Sequence, residues 1–407
     1  METLIPRSGE VRALTELGVV SRRTVLKGGV GLAAGAALAT TVGVPPAQAG
    51  LNKLAKANAR LVCRFTGADL TGQWAAHYVD LCIPVQRADG SLLFIGGDTY
   101  ATPPPFGNDW RAPVGLTASP TNPTTSKIVI NGAVTDTGSH AKGLVPEPHG
   151  GSPATTALPS DVFRVGNTLY MHLMRGPIYH TDHTDFWRSQ DNGVTWQYLR
   201  QWPRDLYDSQ FQQKTYAADT NDAYVYVMST IFNRASPSEL LLFRVLKSDL
   251  DKTDADANAS GLGAHYAYQG WGYANGRWAW GNQPTTITDQ RLWGEICFRA
   301  MGGKYALSWF QPNNNDYADI RAQVFPLPTS NLFTTTEQTM VYSSRVNPSS
   351  DDQSVQHTLY GGFIIPGSTF DNFNIAVSTW DQLQPYAPQN RSNYTVSQWR
   401  TRLNPNI

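Results

Sequence analysis

The chain has 407 residues, with 32 basic and 32 acidic side chains, zero formal net charge and only 16% charged residues. That balance leaves no electrostatic footprint for nucleic acid or an anionic membrane surface and excludes both partner classes. Twelve tryptophans and eighteen tyrosines are many for this length; their flat apolar faces and polar handles suit sugar-binding clefts, and most are assigned to core packing.

Residues 1–49 read as a twin-arginine export signal. Ser21-Arg22-Arg23-Thr24-Val25-Leu26-Lys27 leads into an uncharged Gly, Ala, Val and Leu run that ends at Pro45-Pro46-Ala47-Gln48-Ala49. The run carries no stop-transfer flank, which argues against a retained membrane anchor. The expectation is a mature chain beginning near Gly50, handed to the Tat translocase, and secreted or held in the cell envelope without stable membrane insertion. No cysteine follows the cleavage region, so a lipid anchor is not expected.

The next element is a hairpin over residues 78–100. Asp89-Gly90 lies between two apolar runs, and both residues tolerate the positive φ of a tight primed turn. Symmetric pairing about it places Asp80 opposite Thr99, beside Asp98. Two carboxylates at one strand end can divide acid and base roles when their environments push their pKa values apart. The competing reading is turn capping and backbone satisfaction. Residues 101–160 follow as a polar, Pro-rich stretch of the length typical of a lid or binding loop.

Short apolar alternations then recur, among them Val162–Val165, Leu169–Met174, Ala223–Ser229, Leu240–Val245, Ile296–Ala300, Tyr305–Phe310 and Phe373–Ser378. No sustained helical period appears, so the domain is all-β: a sandwich, barrel or propeller. Ser189-Gln190-Asp191-Asn192-Gly193-Val194-Thr195-Trp196 has the S-x-D-x-G-x-T-W form of an Asp-box, a turn that marks propeller blades and needs no catalytic role. His180-Thr181-Asp182-His183-Thr184-Asp185 has ligand types for a cation, but a polar connecting loop explains it better. Cys63, Cys82 and Cys297 are too few and too widely spaced for a disulfide framework, although a Cys63–Cys82 bridge stays open. No zinc-binding motif is present. Residues 388–407 read as a polar tail that frays unless Trp399 docks it.

These residues resemble the family known as domain of unknown function 4185, also glycoside hydrolase family 183, whose characterised members are endo-D-arabinanases. The likeness runs from about Arg64 to Tyr386. It rests on Asp80 with Gly97-Asp98-Thr99-Tyr100, Leu158-Pro159-Ser160, the Val165–His172 strand pair, and Trp187 to Trp196 with its Asp-box. It continues through Phe211-Gln212-Gln213, Asn233-Arg234, Gly294-Glu295, Tyr360-Gly361-Gly362-Phe363 and Ser378-Thr379-Trp380. The resemblance implies a five-bladed β-propeller over residues 50–387. In that fold carboxylates from different blades meet at one mouth of the central channel. It implies Asp80 and Asp98 as catalytic groups, with the Gly96-Gly97 pair as a bulge that re-aims Asp98. The third acid is open among Glu147, Asp161 and Glu295, because the usual acidic residue before Pro159 is missing. Tyr100, Trp110, Arg234 and Trp293 are the expected substrate contacts.

The function expected is an exported glycoside hydrolase, endo-acting on a D-arabinan of an actinobacterial-type cell envelope. It needs no cofactor and no catalytic metal, with a structural calcium as the only ion considered. The alternatives are a non-catalytic propeller that binds wall glycan and, more remotely, a sialidase-like hydrolase.

Overall fold

The computed structural model describes residues 59–102, 108–147, 149, 154–263, 266–312, 317–344, 359–380 and 394–406. The export segment lies outside these residues. Five antiparallel sheets carry the architecture. The first is built from Ile83–Gln86, Leu92–Gly96, Val114–Ala118 and Ile130–Ala133, and the second from Thr155–Val165, Thr168–Pro177, His183–Ser189 and Gln197–Pro203. The third holds Gln213–Ala218, Tyr224–Thr230 and Leu241–Leu246, extended by the hairpin Gln269–Ala274 and Arg277–Trp280. The fourth holds Ile296–Met301, Lys304–Gln311, Tyr317–Phe325 and Gln338–Ser344.

The first strand of each sheet packs on the first strand of the next, and the ring closes from Leu359–Ile364 of the fifth sheet back to Ile83–Gln86. The protein is therefore a five-bladed β-propeller whose innermost strands line one axis. Covered on both sides, those strands show continuous buried runs where a half-exposed strand would alternate, as in Leu359–Ile364.

The fifth blade overturns one expectation. Its strands are Leu359–Ile364, Phe373–Thr379 and Thr395–Thr401, with Arg60–Arg64 from the other end of the domain as the outermost strand. Residues 395–401, assigned by sequence to a tail beyond 387, are thus a paired strand of the blade. Trp399 is 1% exposed and packs in the core. Truncating a side chain of that size in a core costs about 3–5 kcal/mol, enough to clasp a ring that would otherwise have two free edges.

Aromatic side chains fill the seams between blades. Phe163, Phe186 and Trp202 of the second blade meet Tyr216 and Phe243 of the third; Tyr226 and Leu242 of the third meet Phe298 and Tyr305 of the fourth. Trp293, expected on the substrate, is one of these packing residues. It is fully buried, its indole N–H donates to Ser238 O at 3.1 Å, and its ring stands edge-on to Trp309.

The Asp-box closes the hairpin between His183–Ser189 and Gln197–Pro203. Asp191 accepts from the Val194 and Thr195 amides and from the hydroxyls of Ser189 and Thr195, while Trp196 donates to Gly193 O. Gly193 holds φ +85°, with Leu93 of the first blade against it. Cys63, Cys82 and Cys297 are all free thiols.

Candidate functional site

The hairpin that carries the two aspartates turns differently from its expected form. Arg87 N donates to Ser91 O and Gly90 N to Arg87 O; of the two turn residues only Gly90, at φ +84°, is left-handed, while Asp89 caps Ser91. Three residues therefore form the loop in place of two, and the register moves by one. Ile83 pairs with Ile95, Val79 with Thr99 and Tyr78 with Tyr100, so Asp80 faces Asp98 directly. Opposed residues of an antiparallel pair share a face. The strand is bulged at Gly97-Asp98, where both residues pair with Asp80: Gly97 N donates to Asp80 O at 3.1 Å and Asp80 N to Asp98 O at 3.4 Å.

The facing strand is distorted as well. Leu81 and Cys82 take φ +57° and +48°, Cys82 N closes onto Asp80 O at 2.7 Å, and Leu81 N donates to Ser378 Oγ of the fifth blade at 2.9 Å. Gly97 has a separate reason to be glycine: a Cβ there would overlap Asp80 Oδ1.

Three other members, Thr156, Glu295 and Tyr360, sit where the inner strands of other blades begin. Tyr360, near the start of the fifth blade's inner strand, donates its hydroxyl to Asp80 Oδ2 at 3.0 Å, and Tyr394 donates to the same oxygen at 2.7 Å. Asp80 Oδ1 is buried without a protein partner. Asp98 is partly exposed; its Oδ1 accepts from Trp110 Nε1 and from Thr156 Oγ1 of the second blade, both at 2.9 Å.

Burial pushes the Asp80 carboxyl well above the usual carboxylate range. The Asp98 charge adds to the rise, the two tyrosine hydroxyls oppose it, and the Glu295 charge adds again. Burial likewise raises Asp98 against the pull of Trp110 and Thr156. Two carboxyls that face each other this way titrate as a pair.

Glu295 precedes the inner strand of the fourth blade. It is buried, ion-paired to Arg234 through Oε1, and accepts Gly361 N at 3.2 Å through Oε2. The Arg234 guanidinium lies 5.1–5.8 Å from the ring centres of Tyr179, Phe232, Phe310 and Tyr360. Tyr360 thus touches both Asp80 and the arginine that neutralises Glu295. Tyr100 and Trp110 stack at 5.9 Å, Trp110 stacks on His149 at 4.7 Å, and Tyr100 meets the Tyr394 ring edge at 6.1 Å. Asp80, Asp98, Glu295, Arg234, Tyr100 and Trp110 form one contact network at one mouth of the channel.

The other candidate acids are committed elsewhere. Glu147 is ion-paired to Arg175, whose Nε donates to Asp185 Oδ2 at 2.8 Å; burial raises the carboxyls of both Glu147 and Asp185 despite that arginine. Asp185 is thereby taken out of the His180–Asp185 run. Among the described residues no three His, Cys, Asp or Glu side chains converge as a metal site. Asp161 is further along the same strand as Thr156, roughly 15 Å from the mouth at the usual rise per residue. It accepts from both terminal nitrogens of Arg299 at 2.6 and 2.8 Å, from Thr215 Oγ1 and from the amides of Tyr216 and Val162. It ties three blades together and does not join the site. Sequence reasoning missed Tyr360, Tyr394 and Thr156, for which only the Tyr360-Gly361-Gly362 motif offered a signal.

The chain is 29% identical over 188 residues to an uncharacterised 35.9 kDa protein of Mycolicibacterium smegmatis, a match covering 44% of this chain and 48% of that one. The chain therefore spans about half the length of that relative. Among solved structures, a protein of Bacteroides ovatus named as a candidate hydrolase superposes with a TM-score of 0.53 at 12% identity, over 84% of this chain and 86% of that one. A family 32 β-fructofuranosidase of Bombyx mori gives a TM-score of 0.46 at 12% identity over 83% of this chain and 61% of that one. The model of the domain of unknown function DUF4185 matches residues 67–400, and the chain belongs to that family.

Proposed function

We propose that the protein is an exported glycoside hydrolase that cuts within an arabinofuranose-containing polysaccharide of the cell envelope, with Asp80 and Asp98 as its catalytic pair. The observation that carries this reading is the direct opposition of two buried-side carboxyls, both raised in pKa, at a channel mouth lined by aromatic rings. Glycoside hydrolysis needs one carboxyl to protonate the leaving oxygen and a second to activate water or attack carbon.

Of the two carboxyls Asp80 is raised the more strongly, by burial first and then by the Asp98 charge, which favours its holding a proton. That makes it the acid. Asp98, exposed on one side and held by Trp110 and Thr156, is the base or nucleophile. Glu295, balanced by Arg234, is an orienting charge beneath them. The resemblance to endo-D-arabinanases supplies the substrate class, and the twin-arginine motif supplies the destination.

Asp80→Asn and Asp98→Asn are each expected to lower oligosaccharide release from mycobacterial-type arabinan by about 10²–10⁴-fold with the fold retained by circular dichroism. Wild-type turnover in both variants sinks the assignment. The ion pairing of Glu295 and Glu147 favours one other reading, a glycan-binding propeller without turnover. Arabinan binding by calorimetry that survives Asp80→Asn, with no product from the wild type, supports that reading instead.

A further inference from the structure

Trp110, expected on the substrate, directs its indole N–H at Asp98 Oδ1, 2.9 Å away. A donor on a carboxylate oxygen makes a stronger bond than one between neutral partners and favours the ionised form of the acid. Burial raises the Asp98 carboxyl, and Trp110 is the first of two donors that oppose the rise. Where this indole edge points therefore bears on the chemistry of the base or nucleophile.

The backbone beneath Trp110 is fixed from the Asp98 side. Thr99, next to Asp98, exchanges both backbone hydrogen bonds with Arg111: Thr99 N donates to Arg111 O at 2.9 Å and Arg111 N to Thr99 O at 3.0 Å. The Arg111 guanidinium in turn donates to Ala75 O at 2.6 Å. A fixed backbone still leaves the two side-chain torsions of Trp110 to be set. Trp110 is only half-buried, so core packing does not set them.

Two rings do. Trp110 stacks on Tyr100 at 5.9 Å and, more closely, on His149 at 4.7 Å, with 27° between the second pair of planes. Stacks of this spacing are favourable beyond the area they bury. Tyr100 lies two residues from Asp98, whereas His149 arrives from the Pro-rich stretch and brings its own anchor. Ala112 N donates to His149 Nε2 at 3.1 Å. An imidazole that accepts at Nε2 is neutral with its hydrogen on Nδ1, so this bond fixes the tautomer and the plane of the ring. Burial lowers the His149 pKa; the Thr155 backbone pulls it upward, and the Arg175 charge lowers it further. His149 thus grips one three-residue segment at both ends, the Trp110 ring by stacking and the Ala112 amide by a hydrogen bond.

We infer that His149 is a positioning residue: by clasping Trp110 it holds the indole N–H on Asp98 Oδ1 in the arrangement that the base or nucleophile needs. Its consequence for turnover rests on the glycosidase reading of the mouth. The clasp itself belongs to the fold and is measurable without substrate.

The test uses the full chain with isotope-labelled tryptophan. Of the twelve indole N–H resonances, that of Trp110 is the one missing from Trp110→Phe, and it follows the titration of Asp98. In His149→Ala this resonance is expected to move toward the position of a solvent-exposed indole. The pH at which it titrates should rise, because Asp98 loses a donor that favours its charge while Asp80 still faces it and Thr156 still donates. His149→Gln keeps an acceptor for the Ala112 amide, lacks the ring and should behave in the same way, which serves if His149→Ala folds poorly. His149→Phe gives Trp110 a ring to stack on and should return the resonance toward its wild-type position. With arabinan polymer, His149→Ala should lower kcat by about 10–10²-fold with KM within about twofold of the wild type. It should also move the acid limb of the kcat/KM profile to higher pH, and adding it to Trp110→Phe should have little further effect.

A Trp110 resonance and titration unchanged in His149→Ala and His149→Gln overturn the inference, whatever happens to turnover. So does a shifted resonance with wild-type kcat in His149→Ala, since the indole edge would then have no bearing on the reaction. A full loss of kcat in His149→Phe with the resonance restored also overturns it, because the imidazole itself would be the working group. If the wild type releases nothing from arabinan, the reading of the mouth fails on its own. The resonance then decides the clasp, upheld by a shift in His149→Ala and overturned by none.

Discussion

Two aspartates, Asp80 just before the first blade's inner strand and Asp161 on the second's, share nearly complete burial and differ in almost everything else. Asp161, within the channel, accepts five hydrogen bonds, two of them from Arg299, and so joins the second, third and fourth blades. Asp80, at the mouth, has two neutral donors on one oxygen, none on the other, and a second carboxyl facing it. The contrast shows that burial alone says little about role. A buried carboxylate with every lone pair satisfied by an arginine and backbone amides is a structural tie, whereas one left under-partnered beside a like charge is held in a state useful for proton transfer.

The largest expected effect tests the structural member. Asp161→Ala leaves the partly buried Arg299 without its counter-charge and should cost about 3–5 kcal/mol of stability in chemical denaturation. A loss below about 1 kcal/mol would remove the contrast, since that is the size of an exposed ion pair.

Asp80 should behave in the opposite sense. Its folded-state pKa is raised, so the stability it contributes is full below the ordinary carboxylate pKa and is lost as pH rises through the folded value. Asp80→Asn is therefore expected to be more stable than the wild type near pH 7 by about 1–2 kcal/mol, a gap that closes as the solution is made acid. Thermal melts across that pH range check the sign. A gap that widens in acid would contradict the reading.

Tyr394→Phe sharpens the comparison further by removing one donor from Asp80. The hydroxyl favours the ionised carboxylate, so its loss should move the alkaline limb of the kcat/KM profile to higher pH with little change in melting temperature. The smallest effect belongs to a third class of aspartate, the turn-former. Asp191→Ala should cost about 1 kcal/mol through lost turn hydrogen bonds and leave turnover as it was. A change in kcat there would give the Asp-box a role that its geometry does not.

The hairpin at residues 78–100 was legible because its signals are local. Glycine is required at the same point whether two or three residues form the loop, however, so Asp89-Gly90 could not distinguish the two turns, and the expected register was off by one. The Asp-box was read correctly because all of its partners lie within eight consecutive residues. Trp293 was misplaced for the converse reason: a tryptophan two residues from a candidate acid looks the same whether it lines a cleft or a seam, and only the packing against Trp309 decides. Asp161 resembled a third acid until Arg299, 138 residues later, was found on its carboxylate. Tyr360 and Tyr394 lie 280 and 314 residues from Asp80, and no local pattern could have paired them with it.

Alternation, turn chemistry and one blade motif in the sequence were enough to establish an all-β chain of short antiparallel strands with two aspartates on one hairpin, since strand pairing across a tight turn depends on neighbouring residues alone. Which carboxylates meet, which are neutralised and which stay under-partnered was decided only when five blades closed into a ring. Ring closure brings the starts of inner strands far apart in the chain within hydrogen-bond distance. There the balance of burial, like charge and available donors sets each proton's affinity, and that balance is a property of the assembled mouth.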